Sequence, residues 1–201
     1  LESLAVVLSL AAVWWTSVRN PVCWPVGLVS VLLYGWIFLG ARLYSDALLQ
    51  IVYAVLQCYG WWNWRRARPV VEAARGAAPT ALAATQSEAR PAVVVPRAYQ
   101  LLWTLGVGGV GAVLLGGVMA RYTDAALPWL DAALAALSLV AQYWMARLFR
   151  ANWLLWIAVD LVYVMLYLNR GLPVTAALYA GFVGLAMLGW WRWNPADAAS
   201  R

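Results

Sequence analysis

The sequence predicts an all-α integral membrane protein of seven transmembrane helices, built as a parallel 3+1+3 duplication of a three-helix bundle. Three observations carry that prediction. First, the 201 residues are 65% hydrophobic and 11% charged, against roughly 45–50% and about 25% in soluble domains. Second, the chain holds seven stretches near the length that crosses a bilayer, about 17–25 mainly apolar residues. Third, two features of the first half return in the second. With 15 tryptophans and 10 tyrosines, a soluble fold of this size could not keep a wettable surface.

The expected spans are 3–18, 22–40, 46–64, 99–120, 125–147, 153–169 and 173–193. The first has neither a basic start nor a small-residue cleavage site, so it reads as a span and not a signal peptide. Asn20-Pro21 and Asn152 read as helix N-caps, Asn20 with proline at the first helical position. Gly171-Leu172-Pro173 breaks the chain before the last span. Residues 65–98 are rich in Ala, Pro and Arg, lack a sustained apolar face, and read as a flexible cytoplasmic linker. Residues 194–201 form a tail.

Arginine placement sets the orientation. All 14 basic residues are arginine. Eleven of them fall in the loop after span 1, the linker, the loop after span 5 and the C-terminal end; only Arg42, Arg121 and Arg170 fall opposite. The positive-inside rule then puts the N-terminus outside and the C-terminus in the cytoplasm. The net charge of +6 therefore reports topology, and no nucleic-acid partner is expected.

The repeat decides the architecture. Asn20-x3-Trp24 returns as Asn152-x3-Trp156, and Gly60-Trp61-Trp62-Asn63-Trp64 returns as Gly189-Trp190-Trp191-Arg192-Trp193. The first offset exceeds the second by three, a difference assigned to a shorter second loop. Each copy holds three spans: residues 1–64 make the first bundle and 125–193 the second. Three is odd, so the Gly-rich span at 99–120 is needed between the copies to make them parallel. Parallel repeats about an axis along the membrane normal are a transporter architecture.

Three stripes are polar. Gln50, Tyr53, Gln57, Gly60 and Trp64 on span 3 follow helical steps of three and four. So do Asp131, Ser138, Gln142 and Met145 on span 5, and Trp153, Trp156, Asp160, Tyr163 and Tyr167 on span 6. In hydrocarbon such groups need partners or a water-filled cavity, which turns these faces inward. Asp160 lies about 12 Å past Asn152 at roughly 1.5 Å per residue, near mid-bilayer. It has two readings, a ligand-binding carboxylate or a structural hydrogen bond to Gln142 or a Tyr hydroxyl. Trp61, Trp62, Trp64, Trp190, Trp191 and Trp193 fit an interfacial aromatic belt. Trp156 is deeper and suits stacking on a flat heteroaromatic ring.

The inventory excludes much chemistry. The chain has no histidine and no lysine, hence no imidazole base, no His-ligated metal and no Schiff base. Cys23 and Cys58 make neither a disulfide framework nor a metal site. No enzyme, catalytic residue, metal or cofactor is expected.

The segments from Asn20 to Trp64 and from Asp131 to Trp193 resemble the Pnu family of bacterial vitamin transporters. The most specific part is the WxxW of span 6, Trp153 and Trp156, followed by Asp160 and Tyr163. The resemblance covers nearly all of the chain outside residues 65–98. It implies a SWEET-like arrangement of two bundles, a homotrimer in the bacterial inner membrane, and facilitated diffusion of a vitamin. The candidate is nicotinamide riboside, with thiamine or riboflavin as alternatives. It also implies that Trp153 and Trp156 belong to the substrate site, with Asn, Gln and Tyr from neighbouring spans; joined to the polar stripes, this gives an expected site of Trp153, Trp156, Asp160, Tyr163, Gln142, Gln50, Tyr53 and Gln57. The long Ala/Pro/Arg linker departs from the family.

Overall fold

The computed structural model describes residues 2–40, 44–67, 91–124 and 126–194. Residues 68–90 of the expected linker and 195–201 of the tail lie outside the described residues. Among the described residues the structure is all-helical, with seven helices in order: α1 (Glu2–Ser17), α2 (Cys23–Gly40), α3 (Tyr44–Arg66), α4 (Ala98–Tyr122), α5 (Pro128–Ala146), α6 (Asn152–Asn169) and α7 (Pro173–Arg192). Each coincides with an expected span to within three residues at either end. Four of them, α2, α4, α6 and α7, are long and apolar enough to cross a membrane on composition alone. The Gln and Asp residues of α3 and α5 dilute their apolar character.

The chain divides into two units. The first contains α1, α2 and α3, with residues 146–148. Here α2 packs against both α1 and α3. Ser30 is buried on α2 and reaches the Ala5 carbonyl and Ser9 hydroxyl of α1, at 3.0 and 2.8 Å. Helix α1 ends in a Schellman turn: the Asn20 amide donates to the Trp15 carbonyl and the Arg19 amide to the Thr16 carbonyl, both at 2.9 Å. Arg19 takes the left-handed position, φ 56°. Asn20 Oδ1 accepts the Val22 amide at 3.0 Å and closes the turn that leads into α2, which begins at Cys23, so Pro21 lies before the helix and not at its first position. The final residues of the expected linker are anchored. Pro91 is fully buried, and its carbonyl accepts a bond from Arg19 Nη1 at 3.3 Å.

The second unit contains α4 to α7. Trp144 Nε1 of α5 donates to Thr104 Oγ1 of α4 at 2.8 Å, and Val140, Trp144 and Phe149 form a core that Leu101 and Leu105 of α4 close. Helix α5 ends like α1, with Leu148 at φ 61° and the Phe149 amide on the Trp144 carbonyl at 2.9 Å. Asn152 is not the N-cap of α6. Ala151 holds that position without a side-chain bond, and the Asn152 Nδ2 donates to the Phe149 carbonyl at 2.6 Å, closing the α5–α6 loop from within the helix.

Two tryptophan pairs fix the bundle ends. Trp24 meets Trp64 edge to face, centroids 5.2 Å apart. Trp153 meets Trp193 in the same way at 5.4 Å. Gly60 and Gly189 lie beneath the rings of Trp24 and Trp153, and a Cβ on either glycine would overlap its ring. This corrects the register read from the sequence. The ring that acts as Trp24 does is Trp153, at the same offset that relates Gly60 to Gly189, and not Trp156. No shorter second loop is needed. The pairs also remove Trp64 and Trp193 from the belt, since both are fully buried while Trp61, Trp62 and Trp191 are exposed.

Candidate functional site

In the first unit the stripe of α3 faces α2. Gln57 packs its amide against Gly27, so closely that a Cβ there would stand 2.6 Å from Nε2. Gln50 meets α2 at Gly35, where a Cβ would stand 3.6 Å from its own. Gln50, Tyr53 and Gln57 are all half-buried. An apolar groove of about 500 Å³ opens between α2 and α3, with Gln50 as its polar edge and Leu32, Trp36, Leu48 and Ile51 among its walls.

The second unit holds the denser constellation. Trp156, Asp160, Tyr163 and Tyr167 follow one another on α6 at steps of four, three and four. Asp160 is 6% exposed and Gln142, on α5, equally buried. Trp156 is half-buried, and among the described residues its buried Nε1 has no hydrogen-bond partner. Trp24 and Trp153 have buried, unpartnered Nε1 atoms too, but their rings are fully buried; an unpartnered buried indole N–H costs free energy, and of the three only that of the half-buried Trp156 suits an incoming acceptor. Trp153, at the start of α6, points into the core instead, its ring over Gly189.

Sequence reasoning missed Tyr179 of α7. Its ring lies 4.7 Å from Tyr163 and 5.3 Å from Tyr167, which are themselves stacked at 6.0 Å. A signal was available: Tyr179, Phe182, Ala186, Gly189 and Trp193 have the spacing of the Gln50–Trp64 stripe. The residue types are aromatic and small where α3 has glutamine, which hid the match.

One carboxylate, one indole and three phenols make a site that can stack a flat ring, accept its hydroxyls and offset a positive charge. A nucleophile paired with a base is not among them. A membrane fold with an ionisable residue buried in a polar stripe has the marks of a substrate path, which defines the class as a membrane transporter.

Comparison with known proteins gives the family. The profile described as "Nicotinamide mononucleotide transporter" matches residues 1–195, and the chain belongs to this family. It is 26% identical over 201 residues to the nicotinamide riboside transporter PnuC of Escherichia coli, covering 96% of this chain and 84% of that protein. It is 30% identical over 172 residues to the riboflavin/roseoflavin transporter RibM of Streptomyces davaonensis, covering 84% of this chain and 73% of that protein. Among solved structures, the crystal structure of the vitamin B3 transporter PnuC shares the fold, with a TM-score of 0.70 at 24% identity, covering 96% of this chain and 79% of that one. The chain thus belongs to a family of transporters and not of enzymes.

Proposed function

We propose that this protein carries nicotinamide riboside across the bacterial inner membrane by facilitated diffusion. The observation that carries the reading is the α6 face, where Trp156 presents an unpartnered indole N–H and Asp160 is buried one turn on. Trp156 stacks on the pyridinium ring, Asp160 offsets its charge, and Tyr163 and Gln142 bond the polar part. By the family resemblance Gln50, Tyr53 and Gln57 also take part in binding. Trp153 supports the start of α6 from the core. Riboflavin is the second reading, favoured by the likeness to RibM.

The parallel 3+1+3 duplication is supported by geometry that returns at one constant offset, the one that relates Gly60 to Gly189. Arg19 and Leu148 share the left-handed backbone. The two edge-to-face tryptophan pairs return, and so do the stacked pairs Tyr34–Phe38 at 5.9 Å and Tyr163–Tyr167 at 6.0 Å. The arginine distribution supports an outer N-terminus and a cytoplasmic C-terminus. The homotrimer rests on the family resemblance.

A thermal-shift panel of nicotinamide riboside, riboflavin and thiamine on purified protein tests the substrate, because a ligand of the native state raises its stability. Nicotinamide riboside should give the largest shift. A shift from riboflavin alone would move the assignment to the second reading.

A further inference from the structure

The cytoplasmic end of α3 carries a chain of contacts that the transport reading does not use. Arg147 Nη1 donates to the Tyr59 hydroxyl at 3.3 Å. Tyr59 lies 6.2 Å from Trp62, and the Arg66 guanidinium sits 3.9 Å over the Trp62 ring. Beside them Arg65 reaches over Trp61 at 5.8 Å. Trp62, 51% exposed, is no core residue, unlike its neighbour Trp64. Three cations thus stand around an exposed aromatic rail.

The same helix is apolar along one line above that rail. Cys58, Val55, Ile51 and Leu48 are all exposed and follow Trp62 at steps of three and four. One leaflet is about 15 Å deep, about ten residues of helix. A chain starting at Trp62 therefore reaches Val52 and the neighbouring Ile51, a wall of the α2–α3 groove. Cationic groups at the membrane surface, a flat ring at the ester level and an apolar line below it have the order of parts in an anionic phospholipid.

We infer that the Arg65–Arg66–Arg147 end of α3 is a binding surface for an anionic phospholipid of the inner leaflet, its phosphate on the guanidiniums and one acyl chain along Cys58, Val55 and Ile51. The inference rests on α3 crossing the membrane with Arg66 at the cytoplasmic side. It does not depend on which vitamin is carried. A second copy of this chain presenting the same surface would bring three arginines against three, so charge favours the lipid.

Cys58 supplies the probe, because it is the exposed thiol and Cys23 is buried. The full chain, labelled at Cys58 with a fluorophore, is placed in phosphatidylcholine vesicles containing a minor fraction of brominated phosphatidylglycerol or, in parallel, brominated phosphatidylcholine. Quenching should favour phosphatidylglycerol. At about 1 kcal/mol per arginine near an anionic surface, Arg65→Gln with Arg66→Gln should weaken that preference by about 30-fold, and Arg66→Lys should keep most of it. Equal quenching by both lipids would overturn the inference, as would a preference unchanged in the double variant. Loss of the preference on adding inorganic phosphate would assign the cations to free anions, and Cys58 cross-linking between copies in the bilayer would assign the face to a second subunit. Uptake of vitamin by the double variant reports separately on the transport reading.

Discussion

The Trp153 indole meets Trp193 edge to face, with ring planes 88° apart, and lies over Gly189 with no room for a side chain beneath it. The family resemblance implies a substrate contact for Trp153, and the tryptophan cluster put Trp193 in the belt; in the structure the two rings pack together at one end of the second bundle. Trp153→Ala should therefore cost about 3–5 kcal/mol of stability, the range for losing a buried aromatic side chain. Gly189→Ala should cost about 1–3 kcal/mol by overpacking. Thermal unfolding in detergent measures both. Unchanged midpoints would mean that the packing contributes little.

Trp156 should behave in the opposite way. Stacking by an aromatic side chain is worth about 1–3 kcal/mol for a base-like ring, so Trp156→Ala should weaken vitamin binding about 5- to 150-fold while leaving the unfolding midpoint near its wild-type value. Trp191→Ala, at an exposed ring, should do neither. Binding titrations of the three proteins would show it, and equal small effects at both positions would return Trp156 to the belt.

The charge at Asp160 discriminates between substrates. Asp160→Asn removes the carboxylate and keeps the shape, so binding of the cationic nicotinamide riboside should fall while that of a neutral flavin should not. A parallel loss for both ligands would give Asp160 a structural role.

The segment before α4 sets a limit on truncation. Removing residues 70–88 should leave uptake intact. Extending the deletion through Val94 takes away the acceptor of the Arg19 bond and the bridge from Val94 to Phe149, and should lower the unfolding temperature. Uptake lost with the shorter deletion at normal expression would give the linker a role of its own.

A fusion tests orientation. A reporter active only in the periplasm, joined after Arg201, should be silent, and activity there would invert the topology.

The helices were legible because apolar runs of membrane length, broken by Asn20-Pro21 and Gly171-Leu172-Pro173, leave few alternatives. The polar stripes were legible because helical spacing shows through in any residue type that is rare in hydrocarbon. What could not be read was direction. Trp61, Trp62 and Trp64 are one cluster in sequence, but a helix turns about 100° per residue, which sends Trp64 into the core and Trp62 to the lipid. The register failed for a related reason. Asn152 matched Asn20 by type, while the backbone match is Leu148 with Arg19, a left-handed turn that neither residue type announces. Tyr179 stayed hidden because its stripe repeats the spacing of α3 and none of its chemistry.

Uptake by proteoliposomes tests the central claim most directly. Asp160 is the one buried carboxylate among the described residues, and with no histidine or lysine in the chain it lacks the relay of acidic and His groups that proton-coupled carriers use. Radiolabelled nicotinamide riboside should therefore enter until its concentrations inside and outside are equal, at the same final level with or without an imposed pH step. Accumulation above the outside concentration under a proton gradient, abolished by Asp160→Asn, would contradict facilitated diffusion and make Asp160 a coupling site.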